Sequence, residues 1–180
     1  MSEVDDLRRA IESISPVDER EASSIIATLD RLTWSDDLFA EDVNAHHVTA
    51  SGFVLSSRGV ILHRHRRLGI WVQPGGHVDA GEFPAGAAMR ECTEETGLAV
   101  HHPDPVELFH VDVHPGPRGH THYDLRYVLL APPVDPVPPP EESPEVYWFT
   151  FEEAVQRCEP SLVAAIEKLA RAAPRFNVRE

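Results

Sequence analysis

Gly76-His-Val-Asp-Ala-Gly-Glu82, followed after seven residues by Arg90-Glu-Cys-Thr-Glu-Glu-Thr-Gly-Leu98, is the stretch that decides the fold of this chain. It begins as a glycine-containing loop and continues as a helix from Pro84, because proline suits the first helical position. Gly97 stands where a left-handed residue is expected to end that helix. Four glutamates fall in this short stretch: Glu82, Glu91, Glu94 and Glu95.

The helical spacing predicts that Glu91, Glu94 and Glu95 point the same way, since residues three and four apart share a helix face. Carboxylates gathered like this repel one another and raise their own pKa values unless a cation neutralises them. Mg²⁺ prefers oxygen ligands of this kind, and Mn²⁺ is an alternative. An acidic, solvated helix face with an Arg90–Glu94 pair is the competing interpretation. The preceding glycines favour a metal site, because they allow the backbone and a ligand to approach closely.

The pattern Gly-x5-Glu-x7-Arg-Glu-U-x-Glu-Glu-x-Gly-U, with U a bulky apolar residue, resembles the signature of the Nudix hydrolases. Cys92 is a mild departure at the first apolar position, where a buried thiol packs as a small hydrophobe. The helix stripe of Ala85, Met89 and Cys92 is assigned to the core. The resemblance extends from about His47 to Leu169. All seven fixed positions match: Gly76, Glu82, Arg90, Glu91, Glu94, Glu95 and Gly97.

The resemblance implies an α/β/α sandwich with a mixed sheet and Mg²⁺-dependent hydrolysis of a nucleoside diphosphate linked to another moiety. It implies that Glu82 supports the site from behind the metal ligands or reaches the metal through water. Glu91 or Glu94 orients or deprotonates the attacking water, and Arg90 holds a motif glutamate in place. The implied metal ligands are Glu91, Glu95, Glu94 and the carbonyl of Gly75.

Positive charge precedes the carboxylate motif directly. Residues 46–73 hold four arginines and no acidic side chain, whereas residues 1–45 hold 12 acidic and four basic side chains. A polyphosphate needs both kinds of group, arginines for its oxygens and metal-loaded carboxylates for the scissile bridge. The candidate substrate contacts are His77, Arg64, Arg66, Arg67 and Asp124. Solvated hairpin arginines are an equal alternative, and Glu142 is the second choice after Asp124 for an acidic residue outside the motif.

Composition sets the remaining bounds. The chain has 180 residues, a net charge of −14 and two cysteines, which predicts a cytoplasmic protein that does not bind duplex nucleic acid. No apolar run reaches the length of a membrane span. Eleven histidines are present, but none has zinc-finger spacing. A small-molecule nucleotide or diphosphate is the expected partner, with a homodimer possible.

Residues 1–44 are predicted as a helical extension and residues 45–180 as the Nudix domain. The extension holds helices over 3–13 and 17–33, followed by a loop over 34–42. The domain holds two helices after the motif helix, over 150–158 and 161–172. Its strands are predicted at 47–55, 60–65, 70–72, 98–101, 106–114, 123–130 and 146–149.

Two other functions share this fold, a catalytically silent nucleotide-sensing module and a diphosphate isomerase. The first typically loses motif glutamates and the second tolerates a degraded motif, so the intact motif favours a hydrolase. The motif does not select the substrate, which we expect the loops at 101–122 and 132–144 to determine.

Overall fold

The computed structural model describes residues 3–34, 37–39 and 44–176, so most of the loop predicted at 34–42 lies outside the described residues. The helices are α1 (Glu3–Glu12), α2 (Glu19–Arg31), α3 (Pro84–Thr96), α4 (Phe151–Arg157) and α5 (Val163–Ala172). The strands are β1 (His46–Ser56), β2 (Gly59–Arg64), β3 (Trp71–Val72), β4 (Gly75–His77), β5 (Leu108–Pro115), β6 (Thr121–Leu130) and β7 (Val146–Phe149). No helix among these residues is long and apolar enough to cross a membrane.

The sheet is mixed and is organised around β1. Its main path runs β3-β2-β1-β6-β5, while β4 pairs with β1 and β7 pairs with β2. The β1–β6 pair is parallel, from His46 opposite Thr121 to Leu55 opposite Leu130, and the other pairs are antiparallel. Every residue of β1 after His46 is buried, as expected of a strand covered on both faces.

Helices cover both faces of this sheet. Alternate residues of β1 point to opposite sides: Phe53 and Leu55 join the core beneath α4 and α5. Val48 and Ala50 join the core beneath α1 and α2. The predicted α/β/α sandwich with two N-terminal helices is therefore confirmed.

The N-terminal helices are joined to the sheet by packing and by a buried ion pair. Glu21 of α2 is fully buried, and its carboxylate accepts hydrogen bonds from Lys168 of α5 at 3.0 and 3.1 Å. Lys168 also donates to the carbonyl of Phe109 on β5 at 3.0 Å. Three elements distant in sequence thus meet at one ammonium group. The division of the chain at residue 44/45 stays a prediction.

Three local predictions differ from the structure. The strand predicted at 98–101 is a single bridge between His101 and Leu130, because β6 ends at Leu130 and leaves nothing further to pair with. Met89 was wrongly assigned to the core and is 39% exposed, since α3 turns Ala88 and Cys92 toward the sheet instead. Gly75–His77, predicted as a loop, pairs with β1 as a strand.

Replacing Lys168 with methionine leaves the Glu21 carboxylate buried without its cation. Removing one partner of a buried ion pair costs about 3–5 kcal/mol, so thermal and urea unfolding of Lys168→Met will show a loss of this order. Arg171→Met, an exposed change on the same helix, is the control and will change stability little. Equal stability of the two variants would show that the ion pair does not hold α2 in place.

Candidate active site

Helix α3 lies unusually close to the central strand β1. A Cβ atom at Gly52 of β1 would come within 2.5 Å of the Cys92 sulfur. The close approach therefore requires both a glycine on β1 and a small side chain on α3. Cysteine occupies the apolar position of the motif because a larger side chain has no room there. This close packing brings the glutamates of α3 up to the glycines of β4.

Glu95 is mostly buried beside β4. Its Oε2 accepts a hydrogen bond from the backbone N–H of Gly75 at 2.8 Å and lies 3.7 Å from Nε2 of His63. Burial, helped by the nearby charges of Glu91 and Glu142 and opposed by the Gly75 hydrogen bond, raises the pKa of Glu95 to about 8. Burial also lowers the pKa of His63 to about 4. Both groups are thus predominantly neutral at pH 7 without a cation.

Glu91 sits one turn before Glu95 and presses against Gly76. A Cβ atom at Gly76 would come within 2.5 Å of the Glu91 carboxylate carbon, so only glycine lets the carboxylate lie there. Burial raises the pKa of Glu91, while the hydrogen bond and charge of Arg90 oppose this rise. Two partly desolvated carboxylates therefore stand side by side against one glycine pair.

Arg90 connects the loop to the helix. Its guanidinium donates to the carboxylates of Glu82 at 2.9 Å, Glu91 at 2.8 Å and Glu94 at 3.2 Å, and to the carbonyl of His77 at 3.0 Å. The hydrogen bond to Arg90 lowers the pKa of Glu82. Arg90 thus pairs with motif glutamates, and it joins Glu82 of the loop to Glu91 of the helix.

Glu94 differs from the other two helix glutamates. Its side chain is 54% exposed, compared with 18% for Glu91 and 15% for Glu95. A three-residue helical step places it at the solvent edge of the same face, so the three carboxylates do not converge equally.

These residues fit a hard divalent cation. Glu91 and Glu95 offer carboxylate oxygens, and burial raises the pKa of each, which is the expected response of an acidic pair whose charge is not neutralised. The glycines beside them leave space where a side chain would fill it. Carboxylate and backbone oxygens are the ligands that Mg²⁺ prefers.

A cleft of about 800 Å³ opens beside Glu95 and Gly75, which is within the usual size for a small-molecule site. His63 and Gln73 lie on its wall. The residues of β1, β4 and β6 that line it include Thr49, Ser51, Gly76, His77, His122 and Asp124.

Comparison with known proteins decides the family. The family model of the NUDIX domain matches residues 45–170. The chain belongs to the Nudix family. The predicted enzyme class, a Nudix pyrophosphohydrolase, is confirmed.

Solved structures and a curated relative are similar over most of this domain. A NUDIX-family hydrolase from Clostridium perfringens matches with a TM-score of 0.59 and 26% identity, covering 70% of this chain and 97% of that chain. The C. elegans Ap4A hydrolase binary complex matches with a TM-score of 0.61 and 20% identity, covering 72% and 98%, which shows the fold. Isopentenyl-diphosphate Delta-isomerase of Ruegeria pomeroyi is 28% identical over 131 residues, 68% of this chain and 72% of its own length.

Asp124, the first choice for an acidic residue outside the Nudix motif, is buried and fully engaged. Its carboxylate accepts hydrogen bonds from Arg126 at 2.8 Å, Ser51 at 3.0 Å, Gln73 at 3.1 Å and Thr49 at 3.3 Å. Its role as a substrate contact stays a prediction.

Glu142, the second choice, lies near enough for its charge to raise the pKa of Glu95. The structure thus brings Glu142 toward the carboxylate pair.

The three arginines upstream of the Nudix motif have different surroundings. Arg64 pairs with Glu145 at 3.1 Å, and Arg66 donates to the backbone carbonyl of Glu141. Arg67 lines the cleft. Arg64 and Arg66 are held by the 140–145 segment, so of these three arginines Arg67 is the one that lines the cleft.

Sequence reasoning missed a group of histidines at one end of the Nudix cleft. His47, His77 and His122 lie on three adjacent strands with one ring nitrogen of each within 4.8 Å of the others. Burial and the neighbouring histidines lower the pKa of His122 to about 4, so its ring is neutral at pH 7. Only the strand register, which sets His47 opposite His122, shows which histidines meet.

The raised pKa of Glu95 predicts how stability varies with pH when no divalent cation is present. The folded chain binds this proton more tightly than the unfolded chain, whose value is near 4.5. The resulting stabilisation is complete below about pH 4.5 and is lost as the pH rises toward about 8, with a slope of at most about 1.4 kcal/mol per pH unit.

Urea unfolding in EDTA, between about pH 5 and about pH 8, checks this. As the pH rises, the native protein will lose unfolding free energy relative to Glu95→Gln, because glutamine does not ionise. Parallel pH profiles for the two proteins would contradict the assignment.

Proposed function

We propose that this chain is a Mg²⁺-dependent hydrolase that cleaves the diphosphate bond of a nucleoside diphosphate linked to another moiety. One observation carries the proposal. Glu91 and Glu95 lie together against Gly75 and Gly76, at the edge of a cleft large enough for a nucleotide. Paired carboxylates beside an open glycine backbone form the kind of site that holds Mg²⁺ together with substrate phosphates.

In this proposal Glu91 and Glu95 hold the cation, with Glu94 and the carbonyl of Gly75 as further ligands. When bound, the cation polarises the diphosphate bridge and lowers the pKa of the attacking water. Glu91 or Glu94 orients that water and accepts its proton. The exposure of Glu94 favours a role at the solvent side, where water enters the site.

Arg90 acts by position. Its bonds to Glu82 and to the His77 carbonyl hold the loop, and its bonds to Glu91 and Glu94 hold the helix carboxylates. Charge-assisted hydrogen bonds of this kind fix geometry strongly. We therefore assign Arg90 to the catalytic machinery as the residue that orients Glu91, with Glu82 as its anchor.

Phosphate groups outside the scissile bridge would lie along the cleft wall near Arg67, with His77 as a further contact. Arg64 and Arg66 contribute by holding the segment that carries Glu142 near the site. The C. elegans relative is named an Ap4A hydrolase and an E. coli neighbour is a dihydroneopterin triphosphate pyrophosphohydrolase. Both names refer to substrates that carry a phosphate chain, and a cleft of about 800 Å³ has room for compounds of that class.

Isomerisation of an isopentenyl-type diphosphate is the second candidate, because the R. pomeroyi relative is named isopentenyl-diphosphate Delta-isomerase. Both reactions need a divalent cation on a diphosphate. The complete set of motif glutamates and the burial of Glu91 and Glu95 favour hydrolysis, since isomerisation has no use for an activated water.

A substrate panel tests this proposal. ADP-ribose, dinucleoside polyphosphates, oxidised nucleoside triphosphates, nucleotide sugars, capped RNA and isopentenyl diphosphate are incubated at fixed Mg²⁺ and alkaline pH, with and without EDTA. Phosphorus-containing products are identified by mass. Mg²⁺-dependent cleavage of at least one nucleotide supports the proposal, whereas isomerised isopentenyl diphosphate with no cleavage in the panel contradicts it.

Glu95→Gln is the matched variant for the compound that is cleaved. Turnover in saturating Mg²⁺ will fall by about 10-fold or more, because losing even a residue that supports a metal ligand has this effect. Glu152→Gln, an exposed glutamate of α4, is the control and will keep its rate. If Glu95→Gln keeps more than half the native rate, Glu95 is not a ligand of the metal.

A further inference from the structure

Three imidazoles converge where β1, β4 and β6 run side by side. His47 is directly opposite His122 across the β1–β6 pair, and His77 is opposite Thr49 across the β1–β4 pair. The ring centroid of His47 lies 5.1 Å from that of His77 and 4.9 Å from that of His122. One ring nitrogen from each histidine lies within 4.8 Å of the others.

The surroundings of His47 prepare it as a ligand. It is fully buried, and its Nδ1 lies 2.8 Å from the backbone carbonyl of Asn44. Donation of the Nδ1 proton to that carbonyl leaves the lone pair on Nε2. Histidines that bind metals commonly donate their second nitrogen to a carbonyl or carboxylate in this way, which fixes both the tautomer and the ring orientation.

His122 supplies an independent observation. Its Nε2 is buried and has no hydrogen-bond partner among the described residues. Burying a polar nitrogen without a partner costs free energy, so such a group requires an explanation. Gly116 lies against this nitrogen, and a Cβ atom at that position would come within 2.4 Å of it. The glycine keeps a side chain away from His122.

The position of His77 is also fixed. Arg90 holds its backbone carbonyl at 3.0 Å, and the pairing of β4 with β1 sets the direction of its side chain. His120 lies at the edge of the group, with its ring 5.3 Å from that of His47. Its Nδ1 is buried without a hydrogen-bond partner among the residues that the structure describes.

We propose that His47, His77 and His122 bind one divalent transition-metal ion of the Zn²⁺ type, at a site separate from the carboxylate site of the Nudix helix. Neutral imidazoles suit zinc and its neighbours in the first transition row, whereas Mg²⁺ selects oxygen. The two sites therefore take different ions from the same solution.

The geometry requires only a small contraction. Zn–N bonds of about 2.0–2.1 Å in a tetrahedron place ligand nitrogens about 3.3 Å apart. The three nitrogens therefore draw together by up to about 1.5 Å. Three protein ligands leave a fourth position for water, His120 or a substrate oxygen. His77 and His122 line the same cleft as Glu95, so the ion adds positive charge to the wall of the substrate site.

Co²⁺ binding tests the proposal without any enzymatic substrate. The full-length protein is stripped with EDTA, placed in excess Mg²⁺ to occupy the carboxylate site, and titrated with Co²⁺ while visible absorption and equilibrium dialysis are recorded. One Co²⁺ per chain, with the intense d–d absorption of a low-coordinate imidazole site, is expected. Absence of stoichiometric Co²⁺ binding under these conditions would overturn the proposal.

Variants locate the ion. His47→Ala and His122→Ala will each weaken Co²⁺ binding at least about 10-fold, because even the loss of a residue that only supports a ligand costs this much. His101→Ala, an exposed histidine outside the group, will bind as the native protein does. Circular dichroism checks folding, and His122→Asn replaces His122→Ala if the alanine variant does not fold. Unchanged binding in the folded His122 variant would contradict the assignment.

Glu95→Gln separates this site from the proposed hydrolytic site. It will retain the Co²⁺ absorption even if it loses turnover, because the histidine ligands do not depend on Glu95. Loss of the absorption in Glu95→Gln would show that Co²⁺ enters the carboxylate site and would overturn the histidine assignment, whatever the outcome of the substrate panel.

Discussion

The contact between the β4 backbone and helix α3 is the constraint on which the site depends. Pairing of β4 with β1 fixes Gly75 opposite Ser51 and Gly76 opposite Ala50, while Cys92 packs α3 against Gly52. The glycines leave just enough space for the carboxylates of Glu91 and Glu95. A side chain at position 76 would overlap Glu91, so the backbone geometry and the acidic site cannot be separated.

Two proposed ligand sets lie beside one cleft in this arrangement. The carboxylates of Glu91 and Glu95 lie where α3 meets β4, and the imidazoles of His47, His77 and His122 lie farther along the same strands. Oxygen and nitrogen ligands select different cations. Arg90 links the two regions, because its guanidinium bonds both to Glu91 and to the backbone carbonyl of His77. The proposed metal chemistry therefore follows from strand register as much as from residue type.

The family resemblance predicted the sandwich, and helical spacing predicted the shared face of the motif glutamates, which stand three and four residues apart on one helix. The spacing did not predict how deeply each glutamate is buried, and Glu94 is more exposed than helical spacing alone implies. Sequence reasoning also missed the histidine group, and it named Glu142 as a candidate without showing that this residue approaches Glu95. Those contacts join residues far apart in sequence, and they depend on the parallel β1–β6 register and on the course of a proline-rich loop.

The most direct test of the carboxylate site is the number of protons released when Mg²⁺ binds. Calorimetric titrations near pH 7 in two buffers with different ionisation enthalpies give this number. Because burial raises the pKa of Glu95 to about 8, the proposed site predicts that the native protein releases close to one proton more per Mg²⁺ than Glu95→Gln does. Equal proton release from the two proteins would contradict the claim that the buried carboxylate of Glu95 is where the cation binds.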